Sequence, residues 1–229
     1  STTMLCDCLL VALTSNVKLT LLGYGEDYKG NYQKLLGART YAATLPPTDL
    51  VLFADAYDVL YVASPVKMRD RFLSLELPPH KVLFMAEKGC WPDWDMAFGR
   101  VFCREKYPPT STPYRYLNSG SWMGYVGAAL ELLSDLEGYT PGLDDQQVVS
   151  HIFVDQQHRF ALDRGAVLFQ SMQEESGLVQ RTPGRSAILN KHTQTEPLVL
   201  HFNGGSKGSF AKFRDLLLDG RCLPSGTTV

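Results

Sequence analysis

Short apolar runs that alternate with helix-like segments are the feature that most constrains how this chain can fold. Residues 50–54 and 82–86 are apolar throughout, which is typical of strands that are buried on both faces of a sheet. Between them, residues 66–75 have the pattern of a helix. Strands that alternate with helices favour a mostly parallel sheet that helices flank on both sides. We therefore predict the α/β fold class.

The remaining segments continue this pattern. Apolar residues recur with helical spacing from Met4, and Asn16 can end that helix, whereas a buried strand at residues 9–14 is the alternative. Further helices are predicted at residues 33–44, at residues 128–136 and from Asp144 onward. Further strands are predicted at residues 17–22, 121–125 and 198–202, with two more near residues 160–169. Loops are predicted at residues 23–31, 91–94 and 181–196.

Length and charge limit the classes of function that the chain can have. The 229 residues fit one large hydrophobic core, so we predict a single domain over residues 1–229. Lys and Arg number 22 against 24 Asp and Glu, and this balance lacks the basic excess that binding to nucleic acid requires. The apolar stretch at residues 9–13 is far shorter than the roughly 20 residues of a membrane-spanning helix. We expect neither a nucleic-acid partner nor a membrane span in this chain.

The five cysteines leave the redox state open. They are too few for a disulfide scaffold, and they lack the CxxC spacing of a structural zinc site. One or two disulfides with a free thiol, or five thiols in a reducing compartment, both fit this number. The cysteines are Cys6, Cys8, Cys90, Cys103 and Cys222. The residues alone therefore do not indicate a localisation.

Two carboxylates follow the first apolar run directly. Asp55 and Asp58 lie three residues apart at the carboxyl end of this predicted strand, where open α/β sheets bind ligands. Mg²⁺ and Mn²⁺ prefer oxygen ligands and commonly take one or two carboxylates together with a substrate phosphate. The alternative is a turn whose acids are solvated. The pair therefore indicates a candidate metal site.

A histidine follows the last predicted strand in the same way. His201 comes after an apolar run and is expected at the same edge of a parallel sheet as the two carboxylates. An imidazole ligand favours Mn²⁺ over Mg²⁺, although a histidine at a strand end can also be a surface or hydrogen-bonded core residue. Gly204, Gly205 and Gly208 would let backbone N–H groups approach a phosphate, or they simply form a turn.

Two further groups of residues could act on a sugar. Asp144 and Asp145 open a predicted helix, where acids are favoured by the helix dipole whatever the function. A carboxylate there could deprotonate an acceptor hydroxyl or stabilise a cationic sugar in the transition state. Trp91 and Trp94 could stack on the apolar face of a sugar, or they could pack in the core.

These residues together resemble a known family, the glycosyltransferase domain of procollagen lysyl hydroxylases and its viral and other relatives. The resemblance runs in matching order from Val17 to about Phe210, and it is the order and spacing of the pieces that makes it specific. The matching pieces are residues 22–30, 33–34, 51–59, 86–87, 90–94, 116–120, 124–125, 144–146, 169–170 and 201–204.

The resemblance implies a GT-A fold, which is a Rossmann-like nucleotide-sugar domain, with a UDP-sugar as donor and Mn²⁺ or, as the alternative, Mg²⁺ as the metal. The implied metal ligands are Asp55, Asp58 and His201. The implied donor contacts are Tyr57 at the nucleoside, Lys34 and Asn203 at the diphosphate, the backbone of Gly204, and Tyr28 as an aromatic wall. The implied catalytic residues, on the sugar and acceptor side, are Asp144, Asp145, Asn118 and Trp91.

The function that this resemblance implies is a Mn²⁺-dependent transfer of galactose or glucose from a UDP-sugar to a hydroxyl group of a protein or glycan. Kinship points to hydroxylysine of a collagen-like protein as the acceptor, and to the lumen of the secretory pathway as the location. One alternative is a transferase-like module that binds UDP or a partner without turnover. Another alternative is a metal phosphohydrolase that uses the same acids.

Three departures from the family pattern bear on these expectations. Tyr28 stands where the family usually has Trp, which leaves the donor sugar open. The loop before Lys34 is shorter than in the family, so a displaced Lys34 is expected. The family's first strand should precede the helix predicted at Met4, so we expect the first strand to be missing before residue 1.

Overall fold

The computed structural model describes residues 2–93, 99–136, 144–175, 177, 179–181 and 187–218. Its helices are α1 (Thr2–Thr14), α2 (Gln33–Ala42), α3 (Pro65–Leu73), α4 (Gly99–Lys106), α5 (Val126–Ser134), α6 (Asp145–Asp155) and α7 (Phe210–Leu218). Its strands are β1 (Leu50–Ala54), β2 (Val59–Tyr61), β3 (Val82–Glu87), β4 (Tyr116–Tyr125), β5 (Phe160–Asp163), β6 (Phe169–Ser171), β7 (Val179–Arg181), β8 (Ile188–Asn190) and β9 (Val199–His201).

The chain forms two compact units, and each unit is built from separate segments of the sequence. Unit 1 comprises Ser1–Thr20, Asp55–Ser74 and Gly165–Val229. Unit 2 comprises Leu21–Ala54 and Leu75–Arg164. The single domain over residues 1–229 stays a prediction.

Unit 2 contains a four-stranded mixed sheet in the order β1-β4-β3-β5. Strand β4 is antiparallel to both β1 and β3, whereas β5 is parallel to β3. Aromatic side chains form the centre of the core, where the ring of Trp122 packs on Phe53 and Phe84 and the ring of Phe84 packs on Phe160. Burial of such large apolar side chains is the main stabilising term of a unit of this size.

Unit 1 contains a three-stranded sheet in the order β2-β9-β6 and the separate antiparallel pair β7-β8. Strand β9 is antiparallel to β2 and parallel to β6. Helices α1 and α7 belong to the same unit, and the core between sheet and helices includes Cys8, Leu60, Leu200, Phe202 and Phe213. Because β9 is the central strand, its last residue lies between two neighbouring strands.

The α/β class is confirmed, and the strand direction is mixed. In the sheets of the described residues, the parallel pairs are β3-β5 and β6-β9. Strand β4 accounts for much of the departure from the predicted mostly parallel sheet, because it runs antiparallel to both of its neighbours. It starts at Tyr116. The prediction began this strand only at Ser121, because Asn118, Ser119 and Gly120 interrupt the apolar pattern. A strand with a polar first half escapes a search for apolar runs.

Several predicted elements are confirmed and others are wrong. The segment after Met4 is a helix rather than a strand, and residues 50–54 form β1 with half-buried side chains. The predicted strand at residues 17–22 is absent: these described residues pair with no strand, and residues 20–22 are exposed. The predicted loop at 181–196 contains β8, because Ile188 and Asn190 are buried and pair with β7. Residues 182–186 lie outside the described part.

The structure also describes four of the five cysteines and the lengths of the helices. Cys90 and Cys103 form a disulfide, Cys6 is exposed and Cys8 is buried. Cys222 lies outside the described residues. Among the helices that the structure describes, none has the length and apolar character needed to cross a membrane.

Candidate functional site

Two carboxylates and one imidazole come together in unit 1. Asp55 follows β1 in the chain, Asp58 directly precedes β2, and His201 is the last residue of β9. In the antiparallel pair β2-β9, Val59 lies opposite His201, and the backbone N–H of Phe202 donates to the carbonyl oxygen of Asp58 at 2.7 Å. This register places Asp58 beside His201, although the two residues are far apart in the sequence.

The three side chains have the geometry of a metal site. His201 Nε2 lies 3.5 Å from Asp55 Oδ2 and 3.3 Å from Asp58 Oδ1. One ligand atom from each residue falls within 4.8 Å of the other two, which is close enough for all three to contact one ion. Asp58 and His201 are buried and Asp55 is partly exposed. Two hard oxygen ligands with one imidazole fit a divalent ion such as Mn²⁺.

Lys207 belongs to the same cluster, and the sequence reasoning missed it. Its Nζ lies 3.2 Å from Asp58 Oδ2, and the side chain is 56% exposed. Burial raises the pKa of Asp58, but hydrogen bonding and charge from His201, together with Lys207, outweigh it, so this pKa lies below its ordinary value. The only available signal was a lysine within the glycine-rich segment after His201.

The segment after β9 is held in a tight turn. Asn203 Oδ1 accepts a hydrogen bond from Ser171 Oγ at 2.9 Å, and Gly204 follows with φ of +56°. A Cβ atom on Gly204 would lie 2.6 Å from Gln173 Oε1. The N–H of Gly205 donates to this same oxygen at 2.7 Å, so it is bonded within the protein. Glycine at position 204 is therefore required by the turn itself.

A second polar cluster lies in unit 2, at the start of helix α6. Asp144 caps this helix, since its Oδ1 accepts from the N–H groups of Gln146 and Gln147 at 3.0 and 3.2 Å. A side-chain oxygen at this position satisfies backbone donors that have no partner within the helix. Asp144 thus has the structural role that the sequence left as the alternative to a catalytic one.

Asp145 points to different partners from those of Asp144. It is buried, and its Oδ2 accepts from Ser119 Oγ at 2.5 Å and lies 3.1 Å from Lys34 Nζ. Lys34, which was predicted to contact the diphosphate, therefore forms an ion pair with Asp145, which was predicted to lie on the sugar side. Asp145 is therefore held by one hydroxyl donor and one ammonium group.

A buried glutamate, Glu87, completes this cluster and was assigned no role from the sequence. Its Oε1 accepts from Asn118 Nδ2 at 2.9 Å and from Gln146 Nε2 at 2.7 Å. Gln146 Oε1 in turn accepts from the N–H of Ser119 at 3.4 Å. Asn118 is thereby held in one orientation, and the network links strands β3 and β4 with helix α6. A carboxyl group that ends an apolar run, as Glu87 does, was the available signal.

The predicted aromatic residues are exposed. Trp91 is 53% exposed, Tyr57 is half exposed, and Tyr28 is largely exposed with its hydroxyl group donating to Asn31 Oδ1. Core packing is therefore not the role of these three side chains. Trp94 lies outside the described residues.

The predicted donor contacts fall into both units. Tyr57, Asn203 and Gly204 belong to unit 1, which also holds the Asp55, Asp58 and His201 cluster, whereas Lys34 and Tyr28 belong to unit 2. The roles of these residues as donor contacts stay predictions.

The fold is similar to that of solved glycosyltransferases. A glycosyltransferase involved in the glycosylation of the major capsid of PBCV-1 superposes with a TM-score of 0.51, at 14% sequence identity, covering 94% of this chain and 94% of that one. At this identity the similarity concerns the fold alone, and it is the GT-A type of α/β fold.

Sequence relatives point to one family. The uncharacterized protein R699 of Acanthamoeba polyphaga mimivirus is 29% identical over 201 residues, which are 84% of this chain and 41% of that protein. The human multifunctional procollagen lysine hydroxylase and glycosyltransferase LH3 is 29% identical over 208 residues, which are 84% of this chain and 27% of that protein. The chain thus spans less than half the length of these relatives. Residues 10–219 match the family profile described as the PLOD GT domain. The chain therefore belongs to the PLOD GT domain family, the glycosyltransferase domains of the procollagen lysyl hydroxylases.

Proposed function

We propose that this chain is a Mn²⁺-dependent hexosyltransferase that moves galactose or glucose from a UDP-sugar to a hydroxyl acceptor. The observation that carries the proposal is the cluster of Asp55, Asp58 and His201, whose ligand atoms lie within 4.8 Å of one another. Membership of a glycosyltransferase family supports a transferase over a phosphohydrolase. The name of the relative LH3 supports hydroxylysine of a collagen-like protein as the acceptor.

The side chains fit the metal that the proposal requires. Asp55 and Asp58 supply carboxylate oxygens and His201 supplies a nitrogen, a set that suits Mn²⁺ better than Mg²⁺, which rarely takes imidazole. When bound, the ion would supply positive charge to offset the charge that develops on the UDP leaving group. The β2-β9 register holds two of the three ligands, Asp58 and His201, side by side before an ion binds.

Lys207 gives the same cluster a cation of its own. Its ammonium group pairs with Asp58 and is more than half exposed, so it is accessible to a phosphate group. An ammonium placed beside a diphosphate would add to the electrostatic stabilisation of the leaving group. We include Lys207 with Asn203, Tyr57 and the backbone of Gly204 among the donor-binding residues of unit 1.

In unit 2 we assign the sugar and acceptor chemistry to Asp145, Asn118 and Trp91. Asp145 accepts a hydrogen bond from Ser119 Oγ and pairs with Lys34 Nζ, and a carboxylate fixed in this way suits electrostatic stabilisation of a cationic sugar. Asp144 is engaged by the helix N-terminus, so its contribution would be to orient Asp145.

The test is release of UDP from a panel of UDP-sugars, with Mn²⁺ or with EDTA. We expect release from UDP-galactose or UDP-glucose only with metal, and loss of at least about a hundredfold in Asp58→Ala and His201→Ala. Asp70→Ala is the matched control, because Asp70 is an exposed acid of the same unit. Full activity in EDTA would contradict the proposal.

The same assay separates the alternatives. Binding of UDP without release from any UDP-sugar would indicate a non-catalytic module. Cleavage of simple phosphate esters without a need for UDP would indicate a phosphohydrolase.

The disulfide bears on the location. A bond between Cys90 and Cys103 persists in oxidising compartments and is rare in reducing ones. It supports the lumen of the secretory pathway as the place where the proposed enzyme works.

A further inference from the structure

The loop that carries Trp91 is fastened to helix α6 by the side chain of Asp93. We propose that Asp93 is a positioning residue, which holds Trp91 as a platform for the pyranose ring of a hexose. This inference rests on the proposed function, because it takes a hexose as the ligand. It assigns Asp93 no contact with the sugar.

Asp93 is buried and has two partners on α6. Its Oδ1 accepts from Gln147 Nε2 at 3.0 Å and lies within hydrogen-bond distance of His151 Nε2 at 3.4 Å, and its Oδ2 lies 3.3 Å from the same His151 nitrogen. Gln147 and His151 are four residues apart, so they lie on the same face of the helix. The carboxyl group of Asp93 therefore contacts two successive turns of α6 and holds this part of the loop on the helix.

Two further contacts fix the other part of the loop. Gln146 Nε2 donates to the carbonyl oxygen of Trp91 at 3.3 Å, and the disulfide joins Cys90 to Cys103 on α4. The loop backbone is thus held on both sides of Pro92.

His151 links the contacts that Asp93 makes on α6 with helix α4, which carries the disulfide-bonded Cys103. Its ring stacks on Phe102 of α4, with 4.7 Å between ring centroids and 27° between planes. One histidine therefore packs on α4 and pairs with Asp93. All these residues belong to unit 2.

A firmly held backbone contrasts with the exposed indole that it carries. Trp91 is 53% exposed although its neighbours Cys90 and Asp93 are buried. An aromatic face held in advance binds with little loss of conformational freedom. The axial C–H groups of a galactose or glucose ring form an apolar face of matching size, so a pyranose suits this surface.

The role of Asp93 is separable from the stability of the helix. The N-terminus of α6 is capped by Asp144, not by Asp93. His151 is about half exposed and can reach water if its partner is removed. We therefore expect loss of the Asp93 carboxyl group to release the loop while the helix persists.

The experiment uses the full chain labelled with 5-fluorotryptophan, with the Trp91 resonance assigned from Trp91→Phe. Methyl β-galactoside and methyl β-glucoside are titrated, and sorbitol serves as an acyclic polyol without a ring face. We expect the hexosides, and not sorbitol, to shift the Trp91 resonance. In Asp93→Ala this resonance should broaden or move, and hexoside binding should weaken by about tenfold.

Two variants separate positioning from general damage. Asp93→Asn keeps an oxygen that can accept from Gln147, so it should restore most of the Trp91 signal. Asp155→Ala removes an exposed acid from the same helix and should leave the signal unchanged. If Asp93→Ala fails to fold, a comparison of Asp93→Asn with Gln147→Leu still tests the positioning role. Only Gln147→Leu loses the hydrogen bond between residues 147 and 93, so only this variant should alter the Trp91 resonance.

The result that would overturn the inference is a Trp91 resonance that is the same in wild type, Asp93→Ala and Gln147→Leu, or one that responds to sorbitol as it does to hexosides. The proposed function is judged separately, by UDP release. A chain that releases no UDP from any UDP-sugar can still show an anchored Trp91, so the two failures are distinguishable. In an active enzyme, Asp93→Ala should change KM more than kcat.

Discussion

Lys207 Nζ and Asp58 Oδ2 lie 3.2 Å apart, on the side of the carboxyl group opposite to the oxygen that faces His201. An ammonium group therefore shares a carboxylate with the proposed metal. Both positive charges would compete for Asp58 in the proposed site, and a bound anion would screen them.

The Lys207–Asp58 pair predicts that removal of the lysine changes the affinities for Mn²⁺ and for UDP in opposite directions. In Lys207→Met, Mn²⁺ should bind more tightly without nucleotide, by up to about fivefold, because an exposed ion pair is worth at most about 1 kcal/mol. UDP should bind more weakly in the same variant. Calorimetric titration of Mn²⁺ and then of UDP would measure both. Lys212→Met, an exposed lysine on α7, is the control, and equal changes in both variants would contradict the prediction.

The lowered pKa of Asp58 predicts how the metal-free protein responds to acid. The folded pKa is below the unfolded value of about 3.9, so the ionised group stabilises the fold above that pH. The stabilisation is lost as the pH falls through the folded pKa. We expect the free energy of unfolding of wild type, relative to Asp58→Asn, to fall as the pH drops below about 4.

Urea unfolding in EDTA between pH 6 and pH 2.5 provides the measurement. A difference between the two proteins that stayed constant down to pH 2.5 would show that Asp58 does not contribute through its charge.

The two cysteines of α1 should differ sharply in reactivity. Cys8 is 2% exposed, and burial raises the pKa of its thiol to about 12, whereas Cys6 is exposed. At pH 8 only about one Cys8 thiol in ten thousand would be ionised, and the thiolate is the reactive form. Iodoacetamide should label Cys6 at least a hundredfold faster than Cys8, as measured by peptide mass spectrometry.

Denaturation should remove this difference, because both thiols then face water. Cys6→Ser provides a protein in which native labelling of α1 should nearly vanish. Rapid native labelling of Cys8 would show that α1 opens readily.

Gly204 and Gly208 offer a matched pair in the segment after β9. Gly204 has φ of +56°, and a Cβ atom there would meet Gln173, whereas a Cβ atom on Gly208 would meet nothing within 4 Å. Gly204→Ala should therefore lower the free energy of unfolding by about 1–2 kcal/mol. Gly208→Ala should change it by less than about 0.5 kcal/mol. Urea unfolding of both variants measures this, and equal effects would mean that the turn does not need glycine at 204.

Much of the fold follows from the sequence where local pattern and tertiary structure agree. The apolar run at residues 50–54 coincides with β1, and the helix after Met4 coincides with α1. Strand β4 was only half predicted, because Asn118 and Ser119 are buried for the hydrogen bonds they make with α6 and β3. Pairing direction also depends on contacts between distant segments, which apolar periodicity does not encode.

The candidate site likewise contains residues that the sequence predicted and residues that it did not reveal. Asp55, Asp58 and His201 come together as predicted. The expected reason, one shared edge of a parallel sheet, is wrong, because β1 and β9 belong to different sheets and β9 is antiparallel to β2. Lys207 and Glu87 were missed because their importance lies in single contacts across the folded chain. A lysine in a turn and an acid after a strand are common, and only the partner atoms distinguish them.

The pairing of Val59 with His201 has a consequence for how the protein gains stability. Asp58 and His201 come from segments that are distant in the chain and adjacent only once β2 and β9 have paired. An ion that both residues bind would act as a reversible cross-link across this sheet, and it would bind the folded chain far better than the unfolded one. If that ion is the manganese of the proposed function, its concentration would set the free energy of unfolding as well as the proposed catalysis.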